Sequence, residues 1–397
     1  MALKVLMVGG RRCGKTSALA STFDQIINGP VMQYFTVADR TAYTAKMSNG
    51  VLERQDVLSD KQAELENNLE EPTENIFLVD SGPTYNEWTY KLELQIPGRP
   101  RQRMELEFTD VPGEWFTPGS GDKIDENSGL RVRDLISRKI SESDVYIVMI
   151  DTPNLMHFRD SIAKQTNAIS GIGDYLTGIP ENSNKFVIFS PIKCEKWIKE
   201  ETMDQVKERF DIIYRKIITA LMAYHNLSIC YMPIETAGNI LFFEHSDPIL
   251  IDPPQTQDRI SKCKKLGGKM ARLANGDIID LEGTENFNPD PQALMGGNLM
   301  RPYSWYKVND RPSDPNHLYA PHNCEQIPLH IIQFMLKKMI TTASGGFWGK
   351  LWERLFGTIS RQTLEDKLSE MTNRGIIKNN VEGIEYLKDG FAPQRNN

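Results

Sequence analysis

An α/β fold is predicted: a mostly parallel sheet covered by helices on both faces, with insertions and a small C-terminal appendage. Three features of the chain point to it. The apolar run 3–8 passes through a glycine-rich turn, Gly9 to Thr16, directly into a segment of helical period. Further apolar runs at 145–150, 186–189 and 229–234 alternate with longer stretches of helical spacing, and strands apolar on both sides belong to sheets covered on both faces. Two segments of alternating polarity, 88–96 and 104–109, flank Pro97-Gly98-Arg99-Pro100 and predict an antiparallel hairpin.

In chain order, Leu19, Phe23 and Ile26 mark the buried stripe of a first helix that ends near Ile27, before Asn28-Gly29-Pro30. Residues 30–82 are polar and read as an insertion without a strong core pattern, containing one charged helix over 56–71. The hairpin follows, and then helices near 132–140, 158–176 and 203–224 separate the apolar strands. After Ile234 the pattern fails, because 247–301 is rich in Pro, Gly, Asn and Asp, with one hairpin expected at 270–281 around Asn275-Gly276. Helical spacing resumes over 327–340. These shifts divide the chain into a core, 1–240, a loop-rich insertion, 241–324, a last core helix, 325–345, and a tail, 346–397.

The chain has 397 residues, of which 40% are hydrophobic, enough for a sizeable core. No run approaches the eighteen or so apolar residues that span a bilayer, and the start leads straight into a core strand, so the cytoplasm is the expected address. The formal charge of −7 argues against broad nucleic-acid affinity. The five cysteines, Cys13, Cys194, Cys230, Cys263 and Cys324, lack metal-ligand spacing and read as reduced thiols.

The chemistry concentrates in Gly9-Gly10-Arg11-Arg12-Cys13-Gly14-Lys15-Thr16, followed by Ser17. Glycines let backbone N–H groups point inward at phosphate oxygens, a lysine reaches the outer phosphates, and a hydroxyl can ligate Mg²⁺. Asp110-Val111-Pro112-Gly113-Glu114 ends the second hairpin strand, where Asp110 suits magnesium and the Gly113 N–H can sense a terminal phosphate. Thr84 is the candidate for a further magnesium-ligating hydroxyl, with Ser81 and Thr89 as rivals. Lys193-Cys194-Glu195 and Thr236-Ala237 stand at the ends of later strands. A carboxylate from Glu195 would accept from guanine's ring N–H and amine, where adenine offers a ring acceptor. Lys193 can lay its stem along the base, and the Ala237 N–H can donate to the guanine oxygen.

The ordered set Gly9–Thr16, Thr84, Asp110–Gly113, Lys193–Glu195 and Thr236–Gly238 resembles the signature motifs of translation-factor-class (TRAFAC) GTPases, and Asp110-Val-Pro-Gly-Glu-Trp115 looks like the motif of the YcjX-like and double-GTPase bacterial families. The likeness covers about 1–240 and 325–341. It implies a Ras-like P-loop core that binds GTP/GDP with Mg²⁺, a protein effector or regulator, a homodimer, and a role in bacterial stress response or phage defence. Glu114 stands where Ras-like enzymes keep the glutamine that orients water, which implies slow, unassisted hydrolysis. Ile192 and Glu195 depart from the usual ends of the base motif. Arg11 replaces a glycine that admits an activator's arginine, so no Ras-type activator is expected; Arg11 or Arg12 either reaches the phosphates or is a solvated loop charge. An ATPase and a nucleotide-holding scaffold remain open.

In the tail, Phe347, Trp348, Leu351, Trp352, Leu355 and Phe356 form one helical stripe. It suits either a lipid interface or partner groove, or packing on the chain's own core.

Overall fold

The structure, a computed structural model, describes residues 2–10, 13–29, 36–40, 45–48, 51–54, 87–95, 103–117, 119–125, 128–158, 160–180, 184–245, 270–272, 278–280, 304–308, 319–342, 366 and 369–391. The chain divides into two compact units, one of residues 1–63, 83–237 and 321–397, the other of 64–82 and 238–320.

The first unit is built on an eight-stranded sheet. Its strands are β1 (Ala2–Gly9), β2 (Thr36–Asp39), β5 (Trp88–Gln95), β6 (Arg103–Asp110), β7 (Val145–Asp151), β8 (Lys185–Ile192), β9 (Leu227–Tyr231) and β14 (Glu385–Lys388), with β3 (Ala45–Ser48) and β4 (Val51–Arg54) forming a separate antiparallel pair. The order is β14-β9-β8-β7-β1-β6-β5-β2. The five central strands run parallel, and β5, β2 and β14 add antiparallel edges.

The period of two along each strand sorts the core onto two faces. Leu3, Val5 and Met7 of β1, with Val145, Ile147 and Met149 of β7, pack with Leu19, Phe23 and Ile26 of α1 (Lys15–Asn28) and Leu329, Ile332 and Met335 of the last helix, Gln326–Thr342. On the other face Phe189 meets Phe210 and Tyr214 of the helix Met203–Met222, at ring separations of 5.4 and 5.7 Å. Helices thus cover both faces, as the apolar strands require.

The hairpin pairs as its alternation implies, from Trp88↔Asp110 to Gln95↔Arg103. Two features differ from expectation. The insertion contributes β2, with Val37 in the core; a strand of four residues carries too few alternations to stand out. The C-terminal appendage, expected to add a helix over 363–371 and a strand or helix over 381–387, contributes β14 against β9. The stretch read as one helix over 158–176 is two, α4 (Asp160–Thr166) and α5 (Ile169–Leu176), with α3 (Thr152–His157) ahead of them. Pro153 opens α3 behind the Asp151 cap, and Ala168, at φ 52°, breaks the chain before α5. Among the described residues this unit also has α2 (Val132–Glu142), the short turn Glu195–Lys199 and a helical stretch over 369–373.

In the second unit, β11 (Met270–Arg272) pairs antiparallel with β12 (Ile278–Asp280), which is the hairpin expected around Asn275-Gly276. β10 (Ile240–His245) pairs with β13 (Ser304–Val308), with an irregularity between Phe242 and Glu244. The charged helix expected at 56–71 and the stripe 347–356 lie outside the described residues. No helix among the described residues is long and apolar enough to cross a membrane. The four described cysteines are free and buried.

Candidate nucleotide site

Between Gly9, the last residue of β1, and Lys15, the first of α1, the chain curls on itself: Cys13 N donates to Gly10 O at 3.4 Å and Ala18 N to Gly14 O at 2.9 Å. Gly14 has φ 104°, a left-handed backbone that favours glycine. A Cβ on Gly10 would lie 2.2 Å from the Thr166 carbonyl oxygen, so no side chain fits there. Gly14 caps α1 without a side-chain acceptor, and the first turn carries no acid, which leaves its amides and the positive end of the helix for an anion. Ser17 is half-buried in that turn. The Cys13 thiol is pushed up by burial, an inert setting for a cysteine. Arg11 and Arg12 lie outside the described residues.

Asp110 arrives at the same point because β6 runs parallel to β1, with Met7 opposite Asp110. Thr16 Oγ1 donates to Asp110 Oδ2 at 3.0 Å, and Lys15 Nζ stands 3.8 Å from Oδ1. That second distance is an ion pair, too long for a hydrogen bond. Oδ1 is buried and takes no hydrogen bond. Burial pushes the Asp110 carboxyl up, and the Lys15 charge and then the Thr16 hydroxyl oppose it. An orphaned carboxylate oxygen beside a hydroxyl is the hard-oxygen donor set that a divalent cation takes, so the residues fit magnesium.

Beyond Asp110, the turn Gly113–Phe116 is a single 3₁₀ element, anchored by buried Trp115 and Phe116, whose ring meets Tyr175 edge-on at 5.9 Å. Glu114, its second residue, is half-buried, with Oε1 turned inward. Thr84 and Ser81 lie outside the described residues. Thr89 sits in the β5 ladder opposite Thr109.

The ends of β7, β8 and β9 supply the other loops. Lys193, at φ 60°, extends past the phosphate loop, where its Cε and Ile192 Cδ1 would each stand 3.2 Å from a Cβ on Gly14. Its Nζ donates to Asp151 Oδ2 at 2.7 Å, a pair exposed by only 19% and 3%. Asp151 also caps α3 by accepting from Asn154 N, and its own N–H donates to buried Asn167 Oδ1 at 2.8 Å. Sequence reasoning missed Asp151 and Asn167. The available signal was an acid closing an otherwise apolar strand at the sheet edge that carries the other loops. Thr236 O accepts from Ser21 Oγ at 2.6 Å, and the Ala237 N–H donates to Glu195 Oε1 at 2.8 Å. The two groups expected to read the base thus satisfy one another.

Glu235, just before this loop, exchanges backbone hydrogen bonds with His322, both 3.0 Å. His322 Nδ1 also meets Glu235 Oε1 at 3.0 Å, while Nε2 faces Glu382 at 3.4 Å and Lys378 Nζ at 3.4 Å. The hydrogen bond to Glu235 holds the His322 pKa up, against burial and the Lys378 charge. A histidine whose folded pKa is raised adds stability below its ordinary value and loses it as pH climbs through the raised one. Melting temperature should therefore fall between about pH 6 and pH 8.5 by more in the wild type than in His322→Gln. Parallel curves would show that the bridge adds nothing.

Fold and site together define an α/β P-loop GTPase. The family model Double-GTPase 2 matches residues 5–223, more than half of the chain, and the chain belongs to that family, which makes it a GTP-binding protein. No curated protein matches it. Among solved structures, it resembles the Saccharomyces cerevisiae Ski7 GTPase-like domain bound to GDP and inorganic phosphate, at 16% identity over 59% of this chain and 43% of that one, with a TM-score of 0.34. The match thus spans less than half of the yeast chain. A signal recognition particle receptor SRb-GTP/SRX complex from Chaetomium thermophilum matches at 12% identity over 60% and 93%, with a TM-score of 0.33.

Proposed function

We propose that this chain hydrolyses GTP slowly, with magnesium, and uses the change of nucleotide as a conformational switch read by another protein. The observation that carries the reading is the meeting of Lys15, Thr16 and Asp110 across 94 residues of sequence around a buried carboxylate oxygen without a hydrogen bond. Thr16 and Asp110, with Thr84 proposed as a third ligand, would hold Mg²⁺, which would offset negative charge on the phosphates. Lys15 and the amides of the loop neutralise the phosphoryl oxygens as water attacks the terminal phosphorus. Glu114 orients that water, and the Gly113 N–H senses the terminal phosphate. Arg11 is proposed to approach the same oxygens. As an anion near phosphate, Glu114 is a poor helper, in keeping with unassisted rates on the order of 10⁻⁴ per second.

A homodimer, a protein effector and a place in stress response or phage defence are supported by resemblance alone. A cytoplasmic setting, peripheral membrane contact through 347–356 and the absence of nucleic-acid binding are supported by charge and pattern. The nucleotide reading is tested by thermal unfolding with GTP, GDP, a non-hydrolysable GTP analogue and ATP. Guanine nucleotides should stabilise the protein, by about 2.7 kcal/mol at a hundredfold excess over Kd, and ATP should not. Stabilisation by ATP alone would make the protein an ATPase candidate.

A further inference from the structure

We infer that Gly171 is a positioning residue of the proposed reaction: by leaving helix α5 bare at this point, it sets where the Gly113–Phe116 turn stands relative to the phosphate loop. This deepens the reading of Gly113 and Glu114 as the groups that meet the terminal phosphate and its water, and rests on it.

Two elements that face the phosphates lean on the same stretch of chain. Ahead of α5, the Thr166 carbonyl lies against the phosphate loop, where a Cβ on Gly10 would stand 2.2 Å from the oxygen and 3.4 Å from Asn167 Cα. Inside α5, Gly171 lies against the turn after β6: a Cβ there would stand 2.1 Å from Phe116 O, 2.8 Å from its carbonyl carbon and 3.1 Å from its Cα. All three are backbone atoms, which no change of rotamer moves aside. One turn further along, the Tyr175 ring supports the Phe116 ring edge-on at 5.9 Å. The stretch is itself held firmly. Asn167, fully buried, accepts from the Asp151 N–H at 2.8 Å and donates to Ala163 O at 3.2 Å, which ties it to the last residue of β7, the strand beside β1.

Glycine weakens a helix relative to alanine, and α5 carries two, Gly171 and Gly173, on roughly opposite sides. Their surroundings differ. A Cβ on Gly173 would meet only side-chain carbons of Ile217, at 3.0 and 3.2 Å, and these can turn away. With alanine at 171, by contrast, the Phe116 backbone has to recede by about 1 Å before ordinary contact is reached, and Gly113 and Glu114 of the same 3₁₀ element go with it. A misplacement of about 1 Å at reacting groups costs up to about a hundredfold in rate. Nucleotide affinity, which rests on Lys15 and the loop amides, is left as it was, because the contact of Thr166 with Gly10 is untouched.

The test is single-turnover hydrolysis of GTP and calorimetric titration of GDP with the full-length wild type, Gly171→Ala, Gly173→Ala and Tyr175→Leu. Gly171→Ala should hydrolyse at least about tenfold more slowly than wild type, while its GDP affinity stays within about twofold. Gly173→Ala, the same change on the other side of the helix, should match the wild type in both. Tyr175→Leu removes the ring that supports Phe116 without pressing on the backbone, and should slow turnover about threefold at unchanged GDP affinity; it decides the matter should Gly171→Ala fail to fold. Wild-type turnover in Gly171→Ala, or in Tyr175→Leu where only that variant folds, overturns the inference and leaves slow hydrolysis standing. Equal slowing of both glycine variants, or loss of GDP affinity in step with the rate, would make Gly171 a packing residue of the helix and overturns it too. A wild type that releases no more phosphate than Lys15→Ala removes hydrolysis, and the inference with it.

Discussion

Lys15→Ala is expected to abolish stabilisation by guanine nucleotides and to destabilise the empty protein by about 2–4 kcal/mol at neutral pH. The first effect follows from removing the cation proposed to meet the outer phosphates. The second follows from what remains behind. Lys15 and Asp110 are exposed by only 8% and 4% at the side chain, and Asp110 Oδ1 has no hydrogen bond, so the lysine is the main influence opposing the burial of that charge. Without it, the Asp110 pKa climbs further above its unfolded value. An acid raised in this way costs stability above its folded pKa, and the cost disappears as pH falls below it. The gap between Lys15→Ala and wild type should accordingly narrow as the pH is lowered, as measured by chemical denaturation at neutral pH and at about pH 5. Equal stability at both pH values, together with an undiminished response to GDP, would remove Lys15 from the site.

The meeting of Lys15 and Asp110 was legible because the glycine-rich turn before Lys15 follows β1 and Asp110 ends β6, both strands of strong pattern, and the parallel register of β1 and β6 carries the two to the same edge. The glycine-rich turn was legible because its conformation demands particular residues, as Gly14 at φ 104° shows. What escaped was long-range and weakly patterned. Nothing in Thr36-Val-Ala-Asp39 sets four residues apart from a loop; only the open edge of β5 makes them a strand. Residues 381–387 read as strand or helix alike, and the open edge of β9 decides for the strand. The break at Ala168 was hidden in a run whose overall spacing is helical. At the base edge, the residue types were readable but their pairing was not, since a glutamate bonded to the Ala237 amide and one facing solvent look alike in a string of letters. Asp151 was passed over for the same reason.

Asp151→Ala should cost about 3 kcal/mol, Asp151→Asn less, and the double variant Asp151→Asn with Lys193→Met should regain most of the loss. Asp151 performs two tasks. It caps α3 through Asn154 N, and it neutralises Lys193 at 2.7 Å in a setting where the carboxylate is almost fully enclosed. Alanine removes both functions and takes the carboxylate away from the ammonium, whereas asparagine keeps an acceptor for the cap. Replacing both charged groups removes the need for either, because a buried pair exchanged as a unit is close to neutral while half of one is not. Methionine retains the apolar stem that lies against Gly14. Lys193 also holds a left-handed backbone at φ 60°, a conformation that costs a non-glycine residue about 1 kcal/mol or more and persists only where surrounding contacts impose it. Those contacts include Asp151 at one end and Gly14 along the stem, so the pair braces the turn after β1 against the loop after β8. If equilibrium unfolding of the four proteins gave additive losses, the two residues would be independent, and the brace between the two loops would have to be sought elsewhere.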